Sequence, residues 1–290
     1  MSIPFAAQLA ALAQRAGTDP AGAWQELQGL QPQSALDVLH FGALAAQIAG
    51  TALGRFGEAA AFVAKLREHP ALHDAGDVRR SLWRAEGVMR RCQGEDDGSA
   101  REQGIANPSD ACRYAGVLAQ TLAARGRLGE ALPYLREATT LAAKLPDNDP
   151  VIAQTGVVAQ NLQRIALGHA HAAHEMLIAA AAASEASDGR SDQWQRQHLA
   201  LFSTVRAQLV AGRPGEALRG LHGLMDLEDL NSAGPVERFH TAALACRAYH
   251  ARGDLPQATR TLEACRDFAR RATTQDLSPE VLALDRLLNG

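Results

Sequence analysis

Residues 118–142 read LAQTLAARGRLGEALPYLREATTLA. This stretch predicts two amphipathic helices separated at Gly126, because glycine readily adopts the left-handed conformation that ends a helix. Leu128, Leu135 and Ala138 supply the inner face of the second helix. One such hairpin cannot bury its apolar face alone. The stretch therefore predicts further helical hairpins stacked on either side of it.

The chain contains further copies of this turn. The turn glycines are Gly54, Gly126, Gly168, Gly212 and Gly253. Five positions later stand Ala59, Ala131, Ala173, Ala217 and Ala258, and nine positions later stand Val63, Leu135, Leu177, Leu221 and Leu262. A repeated alanine predicts a point where two helices cross closely. The first two glycines are separated by enough residues for two units, which predicts a degraded copy near Gly94.

Three of the turns continue as Gly-x-x-x-Glu-Ala, in the segments GRFGEA, GRLGEA and GRPGEA. Together with the following bulky residue and the punctuation at Leu145-Pro146, these motifs resemble the tetratricopeptide repeat (TPR) family over roughly residues 34–271. The repeats are longer than the usual TPR period of about 34 residues, and in this they are similar to the extended repeats of bacterial regulators. The resemblance implies an all-α, right-handed α-solenoid of stacked helical hairpins.

The expected domain organisation is a single TPR-like solenoid spanning residues 1–290. Residues 1–33 form an N-terminal cap or an irregular first repeat, in which Ser2 caps the first helix and Thr18-Asp19-Pro20 begins the second. Residues 34–271 hold about six repeats, and residues 278–290 form a C-terminal capping helix. Residues 94–98, GEDDG, replace the tight turn of the degraded copy, so we expect them to form the most exposed segment inside the array.

Composition limits the class of partner. The formal net charge is −3 and the isoelectric point is near 6.4, which argue against general binding to nucleic acid or to an anionic membrane. The four cysteines form no C-x-x-C pair, so we expect them to be reduced and mostly buried. The N-terminus has no basic region and no apolar run long enough to span a bilayer, which makes the cytoplasm the expected location.

No motif for catalysis, a metal or a cofactor is complete. His169, His171 and His174 cluster, but no further ligand or HExxH pattern accompanies them, and a solvated helix start is the simpler interpretation. The acidic residues 95–97 lack the alternating oxygen ligands of an EF-hand. Neither a phosphate-binding glycine loop nor a nucleophile elbow is present. We therefore expect a protein that is not an enzyme and needs no cofactor.

The expected binding surface is the concave face, which the first helix of each hairpin lines in a solenoid. Positions 13, 10, 6 and 3 residues before each turn glycine should point into this groove. They include Phe41, Leu44, Ile48, Thr155, Leu162, Leu199 and Leu209, some of which have a core position as the alternative. The predicted partner-binding residues are Arg113, Gln120, Phe202, Arg206, His240, Arg247 and His250.

Two classes of function remain open on these observations. The first is an interaction scaffold that binds a protein or peptide with an acidic side chain or a C-terminal carboxylate, as the regulatory part of a bacterial signalling or transcription system. The second is a helical small-ligand receptor or enzyme that uses the His/Arg end of the groove. Lysine is almost absent from the predicted groove, so a chaperone-binding role of the lysine-clamp type is not expected.

Overall fold

The computed structural model describes residues 4–167, 174–188 and 193–289. In these ranges all the regular structure is helical, with fifteen α-helices and no strand, which confirms the prediction of an all-α chain. Two compact units are present, Met1–Val151 and Ile152–Gly290.

The first unit contains eight α-helices in the described residues. They are α1 (Phe5–Arg15), α2 (Pro20–Gln28), α3 (Ala35–Ala45), α4 (Phe56–Leu66), α5 (Gly76–Gln93), α6 (Gly98–Gly104), α7 (Pro108–Ala124) and α8 (Leu128–Ala142). Helix α3 continues into a π-helical segment, Ala46–Ala52, and a 3₁₀ turn, Pro70–Leu72, follows α4. The first helices α3, α5 and α7 pack side by side, while α4 and α8 pack against α5 and α7.

The second unit has the same alternation. Its helices are α9 (Pro150–Leu167), which begins at the boundary, α10 (His174–Asp188), α11 (Trp194–Val210), α12 (Pro214–Leu230), α13 (Pro235–Arg252), α14 (Leu255–Arg271) and α15 (Ser278–Asn289). Helix α13 contacts α11 and α15 on its two sides, and each of α12 and α14 also packs against it. Consecutive helices therefore pair as the repeat pattern predicts.

The turn glycines have the conformation that the sequence predicts. Gly54, Gly126, Gly212 and Gly253 have φ values of 72°, 74°, 73° and 81°, in the left-handed region that favours glycine. The alanines five positions later, Ala59, Ala131, Ala217 and Ala258, are fully buried. The aliphatic residues nine positions after each glycine, Val63, Leu135, Leu177, Leu221 and Leu262, are also buried. Gly168 and Ala173 lie outside the described residues.

Several helices begin with a capping side chain at the position that the sequence predicts. Asp19 accepts a hydrogen bond from the Gly22 amide, with Pro20 at the first helical position. Ser34 and Asp37 form a reciprocal capping box at the start of α3. Ser2 lies outside the described residues.

The degraded copy differs from the prediction at one residue. Gly94 has φ 87° and is exposed together with Glu95 and Asp96, as expected. Asp97, however, is only 9% exposed, because its carboxylate accepts a hydrogen bond from the buried hydroxyl of Tyr114 on α7. Burial, and then this bond to Asp97, raise the pKa of Tyr114. The prediction of an exposed segment through residue 98 is therefore wrong at Asp97.

Helix α3 belongs to the core of its unit and not to a groove. Phe41, Leu44 and Ile48 are buried, and the ring of Phe41 lies 5.3 Å from that of Phe62. The predicted groove positions before Gly54 are therefore wrong for this hairpin. Helices α1 and α2 cover the face that these positions were expected to present to a partner. By length and composition Ala35–Ala52 could cross a membrane, with mean hydropathy of 1.2, but a core helix passes the same test.

The cysteines provide a test of this packing. Cys92, Cys112, Cys246 and Cys265 are all buried. Burial raises the pKa of the Cys92 and Cys265 thiols to about 12 and also raises that of Cys246. The reactive form of a thiol is the thiolate, so these side chains should be inert in the folded protein.

We expect less than one equivalent of thiol to react with Ellman's reagent at pH 8 in the native protein, and four equivalents in 8 M urea. In the unfolded chain the thiols of Cys92, Cys246 and Cys265 ionise near their ordinary pKa, so their raised pKa values in the folded state leave the stabilisation fully present below about pH 9. That stabilisation is lost as the pH rises from about 9 to about 12. Rapid labelling of two or more cysteines in the native protein would contradict this packing.

Candidate functional site

The candidate site lies in the second unit, where α11 and α13 pack side by side. Phe202 and Arg206 lie one turn apart on α11, and His240, Arg247 and His250 recur at helical spacing on α13. Residues three, four or seven apart lie on the same face of a helix, so these side chains form two neighbouring rows. We call this surface the α11–α13 face.

Aromatic rings and imidazoles form a continuous row across this face. On α11, Trp194 contacts His198 edge-on at 6.0 Å, and His198 stacks against Phe202 at 6.3 Å. The Phe202 ring then meets His240 of α13 at 6.5 Å, edge to face. The structure therefore brings the two predicted residues Phe202 and His240 together. Both are half-buried, so the edges of their rings remain available to a ligand.

A buried polar junction fixes the row at His198. The Nε2 atom of His198 lies 2.7 Å from Oε1 of Glu228 on α12, and the Thr241 hydroxyl of α13 donates to the same oxygen. His198 is 12% exposed and Glu228 is buried. A buried carboxylate that is hydrogen-bonded from two other helices locks its partners in place. This junction thus holds α11, α12 and α13 in a fixed relation beneath the rings.

The two arginines of the face form no ion pair with any residue that the structure describes. Arg206 and Arg247 are exposed, and neither has a carboxylate within ion-pair distance among the residues that the structure describes. By contrast, Arg213 pairs with Glu175 at 3.1 Å and Arg238 with Asp229 at 2.7 Å. With Phe202 and His240 in contact, the rise of each helix and the usual spacing of packed helices imply a separation of roughly 10 Å between the α-carbons of Arg206 and Arg247. Both guanidinium groups can therefore reach one short acidic segment.

The apolar part of the face is smaller than the sequence predicts. Leu199 is 56% exposed and Leu209 is half-buried, so both can contact a partner. Leu162 and Thr155 on α9, however, are buried inside the unit. The groove register is therefore wrong for these two positions, and the core alternative is correct for Leu162. Repeats of unequal length shift the register by a residue, and on a helix one residue is a rotation of about 100°.

Two predicted residues lie in the first unit. Arg113 and Gln120 are half-buried on α7. The Nε atom of Arg113 is buried without a hydrogen-bond partner among the described residues. Its charge contributes to lowering the pKa of Asp149, although the largest cause of that shift is the hydrogen bond from Ser109. The charge of Arg113 therefore acts on a carboxylate of its own unit.

The chain matches no family model and no curated protein. The resemblance to the TPR family therefore stays a prediction carried by the repeated turn, and the function must be inferred from the geometry of the chain itself.

The predicted histidine cluster falls mostly outside the described ranges. His169 and His171 lie there, and only His174, at the start of α10, is described. Within residues 4–167, 174–188 and 193–289, no group of three or more His, Cys, Asp or Glu side chains is placed to hold a metal ion.

Sequence reasoning missed three contributors to the face, namely Trp194, His198 and Glu228. A signal for the first two was present, because Trp194, His198, Phe202 and Arg206 follow one another at intervals of four residues. Glu228 gave no such signal. Its role depends on a contact between helices that are 30 residues apart in the chain.

Proposed function

We propose that this protein is an interaction scaffold that binds an extended acidic peptide segment of a partner protein on the α11–α13 face. The observation that carries the proposal is the pair of exposed arginines, Arg206 and Arg247, that lack carboxylate partners among the described residues and lie beside the Phe202–His240 ring contact. Arginine and aromatic residues supply most of the binding energy in many protein interfaces.

The binding mode follows from the chemistry of the two rows. A guanidinium group binds a carboxylate through two parallel hydrogen bonds, which are about twice as strong as neutral ones. An aspartate, a glutamate or a terminal carboxylate could occupy the space between Arg206 and Arg247, with His250 one turn further along α13. An apolar residue of the same peptide would then contact Phe202 and Leu199.

The proposal also includes the way in which the helical hairpins stack. We infer a right-handed solenoid of the TPR type, in which α11 and α13 contribute to a concave surface and α15 covers the end of the array. The repeated Gly-x-x-x-Glu-Ala turn and the side-by-side packing of first helices within each unit support it. In this arrangement the scaffold serves as the regulatory part of a cytoplasmic signalling or transcription system, and Arg113 and Gln120 would contribute to partner binding on α7 of the first unit.

Peptide selection tests the proposal directly. Immobilised protein would be used to select binders from a random twelve-residue peptide library, and their affinities would be measured by fluorescence polarisation. We expect selected peptides to carry an acidic side chain or a free C-terminal carboxylate beside an apolar residue. The double substitution Arg206→Ala/Arg247→Ala should weaken binding at least tenfold, since each lost charge-assisted hydrogen bond costs about 1.5–3 kcal/mol. Affinity should also fall as salt rises.

A matched control removes the same charge elsewhere in the second unit. Arg219 on α12 and Arg252 on α13 are also exposed, and the side chain of Arg252 is rotated by about 140° from that of Arg247 around the helix. The variant Arg219→Ala/Arg252→Ala should bind the peptides like the parent. Both double variants should keep the parent's thermal melt, because exposed charges contribute little to folding. Unchanged peptide affinity in the folded Arg206→Ala/Arg247→Ala variant would overturn the proposal.

A further inference from the structure

A second concave feature of the second unit lies between α12, α13 and α14. This pocket has a volume of about 350 Å³. Apolar side chains from all three helices line the pocket, and they include Leu221, Met225, Ala242, Ala245, Ala264 and Phe268. The volume and the mainly apolar lining match those of pockets that hold small organic ligands.

The pocket is separate from the α11–α13 face. Helix α13 contributes Thr241, Ala245 and Tyr249 to the pocket, whereas the face uses His240 and Arg247. At about 100° per residue these two sets lie nearly half a turn apart around α13. A ligand in the pocket therefore occupies the opposite side of the helix from the proposed peptide.

The polar groups at one end of the pocket already satisfy one another. Glu228 accepts hydrogen bonds from Thr241 and His198, and Arg238 pairs with Asp229 at 2.7 Å. These carboxylates are neutralised or hydrogen-bonded by protein groups, so this end offers little attraction to a cationic ligand.

The other end presents the cation Arg260, for which the described part of the chain supplies no ion-pair partner. Helix α14 runs antiparallel to α13, so its first turns, with Gln257, Arg260 and Thr261, lie beside the Tyr249 end of α13. Arg260 is exposed and has no carboxylate within ion-pair distance among the described residues, in contrast to Arg238 at the opposite end. His222 of α12 adds an imidazole to the lining.

We propose that this α12–α14 pocket binds a small amphipathic organic anion. The apolar body of the ligand lies against Met225, Ala245 and Phe268, and its carboxylate binds the guanidinium group of Arg260. Apolar walls provide most of the contact area, while a single charged group fixes the orientation of the ligand, which is the usual division of roles in small-molecule sites. Such a ligand would contact α12 and α13, which support the α11–α13 face, on the side opposite that face.

Decanoate is a suitable probe, used below its aggregation concentration and titrated by isothermal calorimetry. We expect saturable binding of one decanoate per chain. Decanol, which has the same chain without the charge, should bind at least tenfold more weakly. The substitution Arg260→Ala should weaken decanoate binding at least tenfold, and Arg219→Ala, which removes an exposed arginine outside the pocket lining, should leave it unchanged.

A second variant tests the walls without touching the arginine. Met225 is 52% exposed, so Met225→Glu should fold normally while placing a repelling carboxylate in the pocket. Loss of decanoate binding in Met225→Glu and Arg260→Ala, with binding kept in Arg206→Ala/Arg247→Ala, would support the proposal. No saturable binding by the parent, or equal binding by the parent and both pocket variants, would overturn it. Neither outcome depends on the peptide measurements, so the two proposals can fail separately.

Discussion

Replacement of Glu86 by alanine is expected to lower the free energy of unfolding of the first unit by about 3–5 kcal/mol, the usual cost of removing one partner from a buried ion pair. Glu86 is 1% exposed. Its Oε1 accepts a hydrogen bond of 2.8 Å from Arg90, and its Oε2 lies 2.7 Å from Arg67, close enough for an ion pair though not aligned for a hydrogen bond. The Arg67 guanidinium also stacks 3.2 Å above the ring of Trp83.

The large loss of stability is expected because the substitution leaves the charge of Arg67 buried without its partner. Arg67 is 13% exposed, so without Glu86 its charge would remain largely out of water, and no other described carboxylate forms an ion pair with it. Glu86→Gln should cost less than Glu86→Ala, because the amide oxygen can still accept from Arg90. Urea unfolding followed by tryptophan fluorescence is informative here, since Trp24 and Trp83 report on the first unit.

An exposed ion pair in the same unit provides the control. Glu137 on α8 pairs with Arg101 at 2.9 Å, and both side chains are more than a third exposed. Solvent screens such a pair, so Glu137→Ala should cost no more than about 1 kcal/mol. If Glu86→Ala destabilised the protein no more than Glu137→Ala, the buried pair would not contribute to folding as we infer.

Substitution of leucine for the repeated alanine is expected to destabilise each unit by about 1–3 kcal/mol, because extra methylene groups at a close helix crossing force the helices apart. Ala131 in the first unit and Ala217 in the second are both fully buried. Ala217 belongs to a cluster with Val205, Leu221 and Leu244, which leaves no space for a larger side chain without movement of α12.

Thermal unfolding monitored by circular dichroism measures this effect, with each variant compared with Ala251→Leu. Ala251 lies on α13 but is exposed, so leucine there should change the free energy of unfolding by less than about 0.5 kcal/mol. Loss of stability at Ala131 and Ala217, but not at Ala251, would establish the steric role of the repeat. A neutral result at both buried positions would remove the physical reason for the repeated alanine.

The sequence predicted the helices and their consecutive pairing because the signals for both are local. A glycine that ends a helix, an alanine five residues later and an aliphatic residue nine residues later act within one hairpin, so they do not depend on distant contacts. The φ values at Gly126 and Gly253 and the burial of Ala131 and Leu135 agree with that logic. The same local rule failed at Phe41 and Leu162, because burial there depends on which neighbouring helix covers the face.

The sequence by itself determined the helices, their turns and their pairing into hairpins, since all of these depend on residues close together in the chain. Only the tertiary structure decided which charged groups are used within the fold and which remain free. Glu228 meets His198 and Thr241, and Arg238 meets Asp229, whereas Arg206 has no carboxylate partner among the described residues. A spacing pattern places a side chain on a face of its own helix. Ion pairing and burial also require the position of the next helix, and that is set by the packing of the whole unit.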